Sequence, residues 1–98
     1  MPRSKPSQNK HDKTVKQVAK HYEEKGYKVT ADVKGWDRPA TIKGVRPDLR
    51  VRKSGHETIV EVETTDSLGT KRNENQEQTF KKWSKNSQTK HYKKIITE

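Results

Sequence analysis

Residues 47–63 read Pro47-Asp48-Leu49-Arg50-Val51-Arg52-Lys53-Ser54-Gly55-His56-Glu57-Thr58-Ile59-Val60-Glu61-Val62-Glu63. Two alternating runs flank Ser54-Gly55, a dipeptide suited to a tight turn, and the segment reads as a β-hairpin. A turn centred there sets Asp48 opposite Glu61, Leu49 opposite Val60 and Val51 opposite Thr58. Facing side chains project to one side with Cβ atoms ~4.5–5.5 Å apart. Glu63 shares that side, ~6.5–7 Å further along the strand. Leu49, Val51, Val60 and Val62 point the other way. The expectation is three carboxylates on one wet face of the hairpin and an apolar core behind it.

The flanking sequence supplies the other elements. Upstream, Val15, Val18, Ala19 and Tyr22 follow helical spacing between Asp12, a candidate N-cap, and Gly26, a candidate C′ residue, which predicts a helix over about 12–25. Tyr27, Val29, Ala31 and Val33 alternate with polar residues, as a half-buried strand does. Lys34 to Pro47 contains Gly35, Pro39 and Gly44 and reads mostly as loop. Downstream, Gln76, Phe80 and Trp83 predict a second helix over about 73–85, and His91–Thr97 a closing strand. The expected fold is therefore α/β, in the order α-β-β-β-α-β, with a four-stranded mixed central sheet flanked by helices. Residues 1–11, with two prolines and almost nothing apolar, read as a flexible basic arm, and 12–98 as a single domain.

Charge is distributed as sharply as the pattern. The chain carries a formal net charge of +10. Residues 1–28 hold eight Lys/Arg against three Asp/Glu, residues 67–98 hold the same, and residues 29–66 balance seven against seven. The acids are thus gathered in the middle and the positive field stands on the flanks. Such a chain suits a polyanion, and nucleic acid is the expected partner. Only 24% of the residues are hydrophobic, so the core is thin and a homodimer would bury more surface. With no cysteine, disulfides and thiolate metal sites are excluded. The start has no apolar signal region and no stretch reaches membrane-spanning length, which predicts a soluble, cytoplasmic protein with no membrane partner.

An acidic cluster in a chain built to meet phosphate needs a cation between the two. Oxygen donors in that space suit Mg²⁺ or Mn²⁺, which keep waters and accept a substrate phosphate. The competing reading is structural: Arg46, Arg50 or Arg52 pairs with Glu61 or Glu63 across the sheet.

Pro47-Asp48, a hairpin, then Glu61-Val62-Glu63 resembles the PD-(D/E)xK nuclease superfamily, which includes restriction endonucleases and archaeal Holliday-junction resolvases. The resemblance covers roughly residues 12–97 and includes the element order. It implies a restriction-endonuclease-like core and a metal-dependent DNA endonuclease that hydrolyses phosphodiester bonds, with structure rather than sequence preference. It implies Asp48 and Glu61 as metal ligands, the Val62 carbonyl as a further ligand, and Gln76, four residues before Phe80, near the site. The superfamily's third motif position is usually Lys; here it is Glu63, which implies a second metal ligand or a general base, or a site that binds DNA without cutting it. Alternatively, Lys43, Arg46 or Lys71 supplies the missing cation from another element.

For backbone contact the candidates are Lys43, Arg46, Lys71, Arg72, Lys81 and Lys82. Glu23 and Glu24 are the acidic candidates on the first helix. Trp36 reads as a loop anchor or a stacking platform, Phe80 and Trp83 as core, and the histidines at 11, 21, 56 and 91 show no metal-ligand spacing. The alternative class is a non-catalytic nucleic-acid-binding protein: a degenerate nuclease fold or a small ribosome-associated protein.

Overall fold

The computed structural model describes residues 5–65 and 71–97. In chain order the elements are α1 (Lys5–Glu24), β1 (Lys28–Ala31), β2 (Leu49–Lys53), β3 (His56–Thr64), α2 (Lys71–Ser84) and β4 (Lys90–Thr97). The strands form one sheet in the order β1-β2-β3-β4. The pairs β1/β2 and β2/β3 are antiparallel and β3/β4 is parallel. The parallel pair needs a crossover, and α2 is that crossover.

The hairpin has the expected register: Leu49 pairs with Val60, Val51 with Thr58 and Lys53 with His56. Ser54 and Gly55 both take positive φ, 53° and 79°, the conformation of a tight hairpin turn whose twist matches its strands. A second small turn follows the same rule in the loop before β2. Lys43 and Gly44 have φ of 51° and 79°, and Ile42 and Val45 exchange backbone bonds of 2.8 and 3.0 Å around them.

Helix α1 ends as its sequence predicts and starts earlier. At its C-terminus, Tyr27 N–H returns to the Tyr22 carbonyl and Gly26 N–H to that of Glu23, each at 3.0 Å. This paired closure needs the positive φ that Gly26 adopts, 87°. At the other end, residues 5–11, expected as part of an arm, are helical, and Asp12 lies inside the helix rather than capping it. The buried stripe explains the difference. His11, Val15 and Ala19 are one turn apart and all buried, so the packed face of α1 continues past Val15 where the apolar residues stop.

The core has two layers, one on each face of the sheet. Val15 and Ala19 pack on Leu49, Val51, Val60 and Val62, with Trp36 of the loop anchored against the same cluster. On the other face Phe80 of α2 is fully buried and stacks on Tyr92 of β4 at 6.2 Å between ring centroids. Tyr92 is the register partner of Ile59, also fully buried. The expected wet face is therefore corrected: Glu61 and Glu63 retain only 5% and 7% of their exposure. A central strand with a parallel neighbour and a helix on each side is covered on both faces.

Candidate active site

Asp48 stands one residue before β2, where Asp32 N–H donates to its carbonyl at 2.8 Å. This bond continues the β1/β2 pairing one step past Ala31↔Leu49. On the other side Asp48 and Glu61 are joined by a reciprocal clasp. Val62 N–H donates to Asp48 Oδ2 at 2.8 Å, and Asp48 N–H donates to Glu61 Oε2 at 2.6 Å. Each carboxylate is thus oriented by a backbone group of the neighbouring strand. The hairpin register is what sets this geometry.

A third side chain comes from α1. His11 Nε2 lies 3.1 Å from Asp48 Oδ2, and His11 Nδ1 lies 3.1 Å from Asp12 Oδ1. Ionised carboxylates only accept, so both contacts are hydrogen bonds when each ring nitrogen carries a proton. Sequence reasoning passed over His11. The signal that could have found it is its position one turn before Val15 on the buried stripe, a polar residue where an apolar one would pack.

The electrostatics of the pair are severe. Burial, followed by the charge of Asp48, pushes the Glu61 carboxyl up to about 9, even though the Asp48 N–H bond opposes the shift and Glu63 adds to it. Burial likewise raises the Tyr92 phenol well above its ordinary range, with Glu77, Glu61, Glu63 and Asp48 all contributing. The arginines that could have neutralised these acids are engaged elsewhere. Arg46 Nη1 donates to the Pro39 carbonyl at 2.6 Å. Arg50 pairs with Glu57 and donates to the Ala40 carbonyl at 3.1 Å, and Arg52 lies 3.5 Å from Glu57. The cation that the register brings beside Glu61 is Lys94 on β4, whose Nζ is 3.1 Å from Glu77 Oε1.

Of the three carboxylates, Asp48 and Glu61 are joined by the clasp, and the charge of Glu63 reaches Glu61. Among the described residues no group of three or more His, Asp or Glu is arranged to hold a metal ion. Asp48 and Glu61 each commit one oxygen to a backbone N–H, and Glu63 lies one step further along β3, beside Ile96. Gln76 is half-buried on α2, one turn before Phe80, and among the described residues no hydrogen bond joins it to either acid. Glu23 and Glu24 are exposed, and Glu23 is about 18 Å along α1 from His11 at the helical rise. Of the basic candidates, Lys43 is exposed on its turn, Lys81 lies 3.4 Å from Glu77, and Lys82 is exposed. The side chains of Lys71 and Arg72 lie outside the described residues. Trp83, expected in the core, is half-buried between Arg50 and Lys90, 5.6 and 5.5 Å from its ring centroid.

Carboxylate oxygens are the kind of donor that a hard divalent cation takes. Magnesium is commonly held by one or two carboxylates together with water and substrate phosphate, and the Asp48–Glu61 pair is short of positive charge. Among the described residues no helix is long and apolar enough to cross a membrane. Comparison with curated proteins and with solved structures gives no match. The model of the AHJR-like family, REase_AHJR-like, matches residues 3–91, in agreement with the α-β-β-β-α-β order and mixed sheet described above.

Proposed function

The chain belongs to the restriction-endonuclease-like AHJR-like family, and we propose that within it this protein is a metal-dependent DNA endonuclease. The observation that carries the proposal is the Asp48–Glu61 clasp, two carboxylates oriented by backbone bonds beside His11 in a strongly basic chain.

Asp48 and Glu61, with the Val62 carbonyl, would hold Mg²⁺ or Mn²⁺. When bound, the ion polarises the scissile phosphate and lowers the pKa of a water. The chain's own residues do the rest. Val62 N–H and His11 fix the Asp48 carboxylate, and Asp48 N–H fixes that of Glu61. Glu63, on the same face of β3, serves as a base or further ligand. Exposed basic side chains, Lys43 and Lys82 among them, contact the DNA backbone, giving affinity with little sequence preference. A branched or otherwise structured DNA is the substrate such a site suits, because among the described residues the elements are those of the sheet and its two helices, with no separate element for reading bases.

A second reading has an observation of its own. Glu61 is nearly buried, Asp48 is half-buried, and among the described residues no group of three or more His, Asp or Glu is arranged to hold a metal ion, which suits a nuclease fold kept for nucleic-acid binding alone. A cleavage assay on linear, branched and single-stranded DNA with Mg²⁺ or Mn²⁺ separates the two. Cleavage that requires the metal and falls to background in Asp48→Ala and Glu61→Ala supports the enzyme. Salt-sensitive binding without cleavage, indifferent to metal and to both substitutions, supports the binding protein.

A further inference from the structure

One rung of the sheet crosses all four strands with three cations and a single acid. Lys28 on β1 pairs with Arg52 on β2, Arg52 with Glu57 on β3, and Glu57 with Lys90 on β4. Partners in a rung project to the same face, and like charges directly opposite one another destabilise a sheet. Lys28 and Arg52 are such a pair. The one carboxylate available, Glu57, is already shared by Arg50 and Arg52. Lys28 makes no ion pair among the described residues, and the Lys90 ammonium rests over the Trp83 ring. Lys28, Arg52 and Lys90 are exposed, with 62% of the Arg52 side chain open to solvent. Beside them runs a groove of about 440 Å³ lined by Lys28, Arg52, Ser54 and Gly55 among others.

We propose that this rung is a second nucleic-acid contact, a phosphate-backbone anchor at the hairpin end of the sheet, apart from the acids. The proposal rests on the reading of nucleic acid as substrate and adds where the substrate must extend. A row of three cations that shares one carboxylate with Arg50 is under-neutralised and is relieved by a polyanion laid across it, with release of counterions. Arg52 and Asp48 lie on the same side of the strand, four residues apart, about 13 Å at the strand rise. At 3.4 Å per base pair that span is about four base pairs. A duplex reaching the rung from a phosphate at Asp48 therefore continues at least that far on one side.

The test uses the full chain and a labelled DNA duplex in EDTA, with affinity read by fluorescence anisotropy over stepped salt. The double variant Lys28→Ala/Arg52→Ala lowers affinity, and the slope of log affinity against log salt shrinks by about 1.8, two contacts at about 0.9 each. The charge-keeping variant Lys28→Arg/Arg52→Lys retains the slope. Lys16→Ala/Lys20→Ala, the same charge change on the exposed side of α1, leaves the slope close to wild type. Circular dichroism verifies folding, and Lys90→Gln provides an independent reading of the same rung, with a loss of about 0.9 in slope. Wild-type binding with an unchanged slope in the rung variants overturns this proposal alone, as does an equal loss in the Lys16/Lys20 variant. No binding by the wild type overturns it together with the nucleic-acid reading.

Discussion

A glutamate buried beside an aspartate is a liability in so small a fold, and its titration exposes the liability directly. In the metal-free protein the Glu61 carboxyl is pushed from about 4.5 up to about 9, so the native state holds its proton more tightly than the unfolded chain. Its stabilising contribution is complete below about 4.5 and is lost as pH rises through about 9. Chemical denaturation in EDTA should therefore show unfolding free energy declining across that window. Glu61→Gln, which keeps the neutral form, should remove the decline and be more stable than wild type at the alkaline end. A wild-type profile that is flat there would contradict the buried, uncompensated acid. His11 makes a different prediction: a residue that orients a ligand without being one affects affinity for the bound ion by about 10–100-fold when removed. His11→Ala should weaken Mn²⁺ binding by that order, read by calorimetry, while the far-ultraviolet circular dichroism stays native. Asp48 and Glu61 were legible in the chain because hairpin register is arithmetic once the turn is located. His11 was not, because its partner lies 37 residues away and only packing of α1 on the sheet brings the two together.

The elements were legible in type and order, and the departures have local causes. Ser54-Gly55 fixed the hairpin, and the positive φ at both residues shows why that dipeptide left little freedom in register. The start of α1 was misplaced because Asp12 has the chemistry of an N-cap, whereas the helix is extended by a buried histidine that no apolar periodicity reveals. The covering of the Glu61 face was also hidden. Alternation within β3 marks one apolar side, but it cannot show that α2 returns across the other side and lays Phe80 on Tyr92. That contact gives α2 its main hold on the sheet. Phe80→Ala should destabilise the domain by roughly 3–5 kcal/mol, the range for removing a buried aromatic side chain, measured by urea denaturation. A loss below about 1 kcal/mol would mean that α2 is held by its ion pairs instead, a class of interaction worth little at a surface.

Taken as a whole, the molecule separates its charges by place. The buried acids Glu61 and Glu63 sit at one end of β3, and a row of exposed cations lies across β1, β2 and the start of β4 at the other. This division was visible as a neutral middle segment between two flanks of +5 each, although the cations first expected to meet DNA were not those of the hairpin rung. The family match accounts for the fold and implies a nucleic-acid substrate. The chemistry depends on whether two oriented carboxylates take up a cation. Titration of the full chain with Mn²⁺, followed by loss of the free-ion electron paramagnetic resonance signal, measures that step without DNA or turnover. Wild-type protein should bind one ion per chain, and both Asp48→Ala and Glu61→Gln should abolish the binding. Absence of binding by the wild type, or binding that survives both substitutions, would contradict the site.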